Sequence, residues 1–160
     1  MVKKGFTLIE LLIVISIIAI LASVVFVALD PLKRFQDARD SSRWADISSL
    51  VSAVKVYQVD NQGSYPTEVG GMTASTTYMI GTDASGCNSG CTDWTVSQAA
   101  CIDLTELVTE GYLGEVPVSS NGAGTWTTGK TGYTITKYDT GLVTVAACES
   151  ENSDNISVSK

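Results

Sequence analysis

One carboxylate stands where a carboxylate is expensive. Leu8 to Leu29 is an apolar run whose one charged residue is Glu10, with Ser16 and Ser23 as its other polar side chains. A charge near the middle of such a segment costs about 2.5–3.5 kcal/mol in a membrane, less toward its end. Glu10 must therefore either snorkel to an interface or have a fixed partner. Four cysteines, at positions 87, 91, 101 and 148, offer a second chemistry: two disulfides or a thiolate metal site. Their spacing lacks the C-x2-C knuckle of structural zinc, so no metal is expected. Gly124 to Thr131 fits G-x-x-x-x-G-K-[ST]. A phosphate loop needs a strand before it and a helix after it. Here Ser119-Ser120-Asn121-Gly122 precedes the stretch and a β-like Tyr133-Thr134-Ile135-Thr136 follows, so a chance match is expected.

Catalytic chemistry finds little to work with. The chain has no His, which removes the commonest general base and every His-containing metal site. No G-x-S-x-G occurs, so no catalytic residue, no cofactor and no enzyme activity are expected. Glu149, Glu151 and Asp154 cluster near the C-terminus as cation candidates, without the EF-hand pattern. Asn155-Ile156-Ser157 matches the glycosylation sequon by spacing only. A net charge of −7 argues against a broadly basic nucleic-acid surface.

The elements that position these residues can be read from periodicity. As a helix, Leu8–Leu29 would span about 33 Å, enough to cross a bilayer. Lys3 and Lys4 before it predict a cytoplasmic N-terminus. Asp30-Pro31 predicts a break, since Pro cannot continue the ladder while Asp-Pro suits the start of a new helix. A second helix is expected over 31–61. Ile47, Leu50, Val51, Val54 and Tyr57 recur at helical spacing and should pack on a C-terminal head. Lys33, Arg34, Asp37, Arg39, Asp40, Arg43 and Asp46 should form the opposite, solvated face, or pair between subunits. Gly63 and Pro66 should end the helix. Residues 67–100 read as loop and short strand, Cys101–Leu113 as a short helix. Tyr133–Lys137, Leu142–Ala147 and Ile156–Ser159 read as strands, the first two joined by Tyr138-Asp139-Thr140-Gly141. The fold class is α+β, with 160 residues allowing one head of ordinary size.

Gly5-Phe6-Thr7-Leu8-Ile9-Glu10, behind a short leader with Lys3 and Lys4, closely resembles the prepilin processing site of bacterial type IV pilins and type II secretion pseudopilins. The resemblance covers about the first thirty residues. It implies a pilin fold, cleavage between Gly5 and Phe6 by a prepilin peptidase, and N-methylation of Phe6. It also implies that Glu10 interacts with the Phe6 amine of a neighbouring subunit during assembly. A buried carboxylate and a buried ammonium are each costly alone and tolerable together. The expected divisions are a leader over 1–5, an assembly helix over 6–29 and a head over 30–160. The expected role is a structural subunit of a homo-oligomeric, helical type IV pilus supporting adhesion, motility or DNA uptake. Its partners would be the prepilin peptidase, the inner-membrane assembly platform and minor pilins. The precursor would sit in the cytoplasmic membrane, the product in an extracellular fibre, and nucleic acid would be met only through that fibre. The alternatives are a periplasmic type II secretion pseudopilin and, from another class, a membrane-tethered binding domain. A head outside the membrane lies in an oxidising space. Cys87–Cys91 and Cys101–Cys148 are then the favoured pairs, the first closing a tight loop and the second tying the short helix to the last strands.

Overall fold

The structure, a computed structural model, describes residues 5–120 and 125–160. Lys3 and Lys4, and Gly122 and Gly124 of the Gly-rich stretch, lie outside the described residues. The elements in chain order are α1 (Leu8–Leu29), α2 (Pro31–Asp60), α3 (Thr67–Gly71), β1 (Thr77–Met79), α4 (Thr105–Thr109), β2 (Tyr133–Lys137), β3 (Val143–Ala147) and β4 (Ser157–Ser159). This is an α+β fold: an extended apolar helical segment at the N-terminus and a small antiparallel sheet. The chain divides into two compact units, Met1–Phe35 and Gln36–Lys160. The second unit begins inside α2, whereas the sequence reading starts the head at Asp30. Residues 31–35 are all exposed, and Asp40 is the first fully buried position of α2.

In the first unit, Thr7 caps α1 and Glu10 closes a capping box with it. A helix satisfies every interior backbone group of an apolar run within itself, as a medium without water requires. None of the α1 residues is buried. Asp30 ends α1 in the left-handed region at φ 36°, a conformation Asp tolerates better than most residues. Pro31 opens α2, where a missing N–H costs nothing. The Asp30 carboxylate accepts the Lys33 N–H at 3.4 Å, and its carbonyl accepts the Arg34 N–H at 3.3 Å.

In the second unit, Ile47, Leu50, Val51, Val54 and Tyr57 of α2 are buried with Ile135, Val143 and Val145 of the sheet and Leu104, Leu107 and Ile156 from outside it. The helix stops where Gln62 and Gly63 take positive φ and the Gly63 N–H donates to the Gln58 carbonyl at 2.7 Å. The sheet order is β1-β2-β3-β4, antiparallel throughout. Tyr133 pairs with Ala147 and Lys137 with Val143, which sets the β2–β3 register. Gly141, at φ +84°, closes the connecting turn by donating to the Tyr138 carbonyl. β1 falls in the stretch read as loop and short strand. The helix expected over Cys101–Leu113 is cut to Thr105–Thr109. Its first residues are taken by the sheet edge, where the Ile102 N–H donates to the Met79 carbonyl at 2.8 Å and the Ile102 carbonyl accepts from Gly81 at 3.0 Å.

The disulfides correct the expected pairing. Cys87 is joined to Cys101 and Cys91 to Cys148, with Cα–Cα separations of 5.4 and 4.4 Å. The backbone explains the choice. Cys87 N–H donates to the Ala99 carbonyl and Cys101 N–H to the Asp83 carbonyl, which zips the two ends of one loop together. Thr92 and Asp93 both donate to the Cys148 carbonyl, which lays the same loop against the end of β3. Met79, Val96 and Trp126 complete a small second core around Cys87 and Cys148. Non-reducing peptide mapping should therefore recover Cys87–Cys101 and Cys91–Cys148 peptides. The bridges span 14 and 57 residues. In the chain-entropy model, replacing Cys91 and Cys148 by Ser should cost about 1 kcal/mol more than replacing Cys87 and Cys101, read as denaturant midpoints.

Candidate functional site

The first described residues, from Gly5 into the start of α1, are exposed. A side-chain carbon built on Gly5 would meet nothing within 4 Å, and Phe6 is 83% exposed. The Glu10 carboxylate accepts from the Thr7 N–H at 2.9 Å and from the Thr7 hydroxyl at 2.7 Å, while Thr7 Oγ1 accepts from the Glu10 N–H at 3.3 Å. All three bonds are exposed, so Glu10 is satisfied locally but not enclosed. The Ser16 and Ser23 hydroxyls donate back to the carbonyls of Leu12 and Ile20, each at 2.8 Å. What α1 offers to its surroundings is therefore almost wholly apolar. Leu, Ile, Val and Phe side chains stay at least 46% exposed on every side of it.

The second unit holds a charged cluster that the sequence reading puts on a solvated face. Arg43 is 0% and Asp40 2% exposed. The Arg43 guanidinium donates to Asp40 Oδ1 at 2.7 Å, Glu151 Oε1 at 2.9 Å, the Ser120 carbonyl at 2.8 Å, Ser119 Oγ at 3.1 Å and Glu149 Oε1 at 3.4 Å. Arg39 forks onto Glu151 with both Nε and Nη2. Asp40 also receives the backbone N–H groups of Glu151, Asn152 and Ser153. Burying unpaired charges would be prohibitive; here the guanidinium and the surrounding donors compensate each other. Glu149 and Glu151, candidates for a cation, are thus turned onto guanidinium groups. Glu149 also accepts the Trp126 indole N–H at 2.8 Å. Among the described residues no cluster of three or more metal-ligating side chains occurs. Spacing carried the missing signal: Asp40 and Arg43 continue, at helical intervals, the stripe formed by Ile47, Leu50, Val54 and Tyr57.

Two further polar contacts lock α2 to the head. The Tyr133 hydroxyl donates to Asp46 Oδ2 at 2.5 Å. Burial pushes the Asp46 carboxyl above its ordinary range despite that bond, and burial with the Asp46 contact raises Tyr133. The Tyr57 hydroxyl donates to Glu106 at 2.9 Å, and this bond pushes Tyr57 up to about 12. Glu106 also accepts the Thr67 N–H at 2.7 Å, joining α2, α3 and α4.

The Gly-rich stretch serves packing. Thr82 and Asp83 N–H groups donate to the Thr128 and Gly129 carbonyls at 3.2 and 3.0 Å. A side chain at Gly129 would run into the Asp83 carboxylate, and one at Gly81 into the Gly129 carbonyl. The stretch leads into β2 with no intervening helix, so it has no phosphate-loop context.

Comparison with known proteins places the N-terminus. Residues 1–26 match the family model described as the prokaryotic N-terminal methylation motif. Over 58 residues the chain is 50% identical to the type IV wide pilus major component PilA4 of Thermus thermophilus. That match takes in 36% of this chain and 43% of the relative, so it spans less than half of either. No solved structure matches the chain.

Replacing Arg43 by Met should destabilise the second unit by about 3–5 kcal/mol, because Asp40 and Glu149 would be left buried without their cation. Urea unfolding of the full-length chain in detergent measures this. Acid should act on the same cluster. The Arg39 bond, aided by Arg43, holds Glu151 below its ordinary 4.5. Burial pushes Asp40 up, but three backbone N–H groups and Arg43 outweigh it and hold it below 3.8. Both groups stabilise the fold fully above those ordinary values, and the contribution is lost as pH falls through the lowered native ones. Asp46, raised by burial, works in the opposite sense. Asp46→Asn should therefore steepen the loss of urea resistance on acidification from neutral pH.

Proposed function

We propose that this chain, whose methylation motif and PilA4 match support the type IV pilin family, is a structural subunit of an extracellular type IV pilus. The observation that carries the reading is the coincidence of two features in one segment. Residues 1–26 match the methylation motif, and the α1 helix that begins within them buries none of its side chains. A single chain leaves that surface without cover. A bilayer covers it before assembly, and a bundle of the same helices covers it afterwards.

In this reading residues 1–5 are a leader that a prepilin peptidase removes between Gly5 and Phe6. The exposed position of both residues leaves that bond approachable. Cleavage turns the Phe6 nitrogen into a terminal amine, and methylation leaves it cationic. Glu10 then exchanges its exposed bonds to Thr7 for the Phe6 ammonium of a neighbouring copy. In an apolar bundle an unpaired charge would be costly, so the pair selects one axial register among many similar ones. Residues 6–29 form the assembly helix and residues 30–160 the part that carries the head. The precursor sits in the cytoplasmic membrane and is drawn into the fibre by an inner-membrane platform with minor pilins. Adhesion, twitching motility or DNA uptake belong to the fibre, and the role is structural rather than enzymatic.

The test is intact-mass spectrometry of filaments sheared from cells that express the chain. The expected mass is that of a chain starting at methylated Phe6 with all four cysteines oxidised. In the same strain Glu10→Ala should remain in the membrane fraction yet yield no sheared filament. An uncut chain starting at Met1 would contradict the reading. A processed chain confined to the envelope would point instead to a secretion pseudopilin.

A further inference from the structure

The second unit contains a cleft of about 260 Å³ beside α4. Its floor is apolar, from Leu104, Val108 and Val116, and two carboxylates, Asp103 and Glu115, stand at it. Thr131, also in the wall, already donates its hydroxyl to the Ile80 carbonyl at 2.7 Å, so it asks nothing of an occupant. Asp103 is held by the N–H and hydroxyl of Thr105. Glu115 is exposed and makes no side-chain bond among the described residues, and its charge reaches Asp46, which it pushes further up. The volume lies below the roughly 300–1,000 Å³ of pockets that enclose small ligands. It is the size of a seat for one large side chain from a partner.

The first unit presents a knob of matching chemistry. Phe35 and Leu32 are each 65% exposed and lie three residues apart on one side of α2. Arg34 between them is exposed and makes no side-chain bond among the described residues. Most other cations among the described residues are engaged. Arg39 and Arg43 sit in the charged cluster, Lys55 donates to the Gly141 carbonyl, Lys137 to the Gly70 carbonyl and Lys160 to Ser52. An exposed aromatic next to an uncommitted guanidinium is the composition that protein interfaces favour. An apolar seat with a free carboxylate is its complement in shape and sign.

We propose that the cleft beside α4 in one copy receives Phe35 of a second copy, with Arg34 of that copy set against Glu115. The contact rests on the filament reading, which supplies the second copy at high local concentration. It adds to the bundled α1 helices a specific joint between the start of α2 and a neighbouring head. Arg34 and Glu115 fix the orientation, while Phe35 supplies the buried area.

Photocrosslinking in the full-length chain tests it. p-Benzoylphenylalanine is placed at position 35 in cells making filaments, which are irradiated, sheared and mapped by mass spectrometry. The expected product is a dimer whose crosslink lies within residues 103–116 of the other copy. Arg34→Glu should lower its yield about tenfold, the effect of roughly 1.4 kcal/mol. Adding Glu115→Arg to the same chain should restore it. A second probe at position 18, within α1, reports assembly itself. Crosslinks from 18 with none from 35 to the cleft, or a yield indifferent to both charge reversals, would overturn the joint and leave the filament reading intact. Crosslinks from neither position, with no filament recovered, would overturn both.

Discussion

A helix that is apolar on every side and buries none of its residues must find cover outside itself. That constraint governs the first unit. α1 shows Leu, Ile, Val and Phe around its whole circumference, and it turns its two serine hydroxyls back onto its own carbonyls. Interior backbone groups and both hydroxyls are satisfied within the helix, so along its middle nothing polar needs water. Such a segment is stable in lipid or against copies of itself and unstable in water alone. The single carboxylate near its start is then the one place where geometry, rather than general apolarity, can select a neighbour.

The head solves a different problem. A small sheet of short strands, two of three residues, cannot hold a 30-residue helix by apolar contact alone over its full length. The lower part of the α2 stripe is apolar and packs in the usual way. Its earlier positions, Asp40 and Arg43, are instead fixed by charge-assisted bonds to Glu149 and Glu151 and to backbone N–H groups after β3. The Cys91–Cys148 bridge leads directly into those residues. It joins the long loop before α4 to the segment that receives the guanidinium. Specific polar geometry here takes the place of core volume, which a head of this size has in limited supply.

Legibility in the sequence follows the range of the interaction. α1, the break at Asp30-Pro31 and strands β2 and β3 rest on runs, caps and turns within a few residues, and periodicity locates them. The stripe from Ile47 to Tyr57 is equally local. Asp40 and Arg43 read as solvent-facing by residue type, although their phase on the helix continues the buried stripe. Partners far along the chain, at Ser119, Ser120, Glu149 and Glu151, reverse that reading. The cysteine pairing failed for the same reason. Proximity in sequence favoured Cys87–Cys91, whereas backbone bonds at Ala99 and Asp83 decide which thiols meet. The helix expected from Cys101 was shortened by a sheet edge that no local signal announces.

A cryo-EM reconstruction of filaments formed by the full-length chain is the most direct measurement. The expected map places α1 of every copy in the filament core, buried against other copies, with the Glu10 carboxylate beside the Phe6 nitrogen of a neighbour. The Asp40–Arg43–Glu149–Glu151 cluster should be intact in each head. A filament whose core is built from heads, with α1 facing solvent or absent, would contradict the reading that α1 exists to be covered by copies of itself.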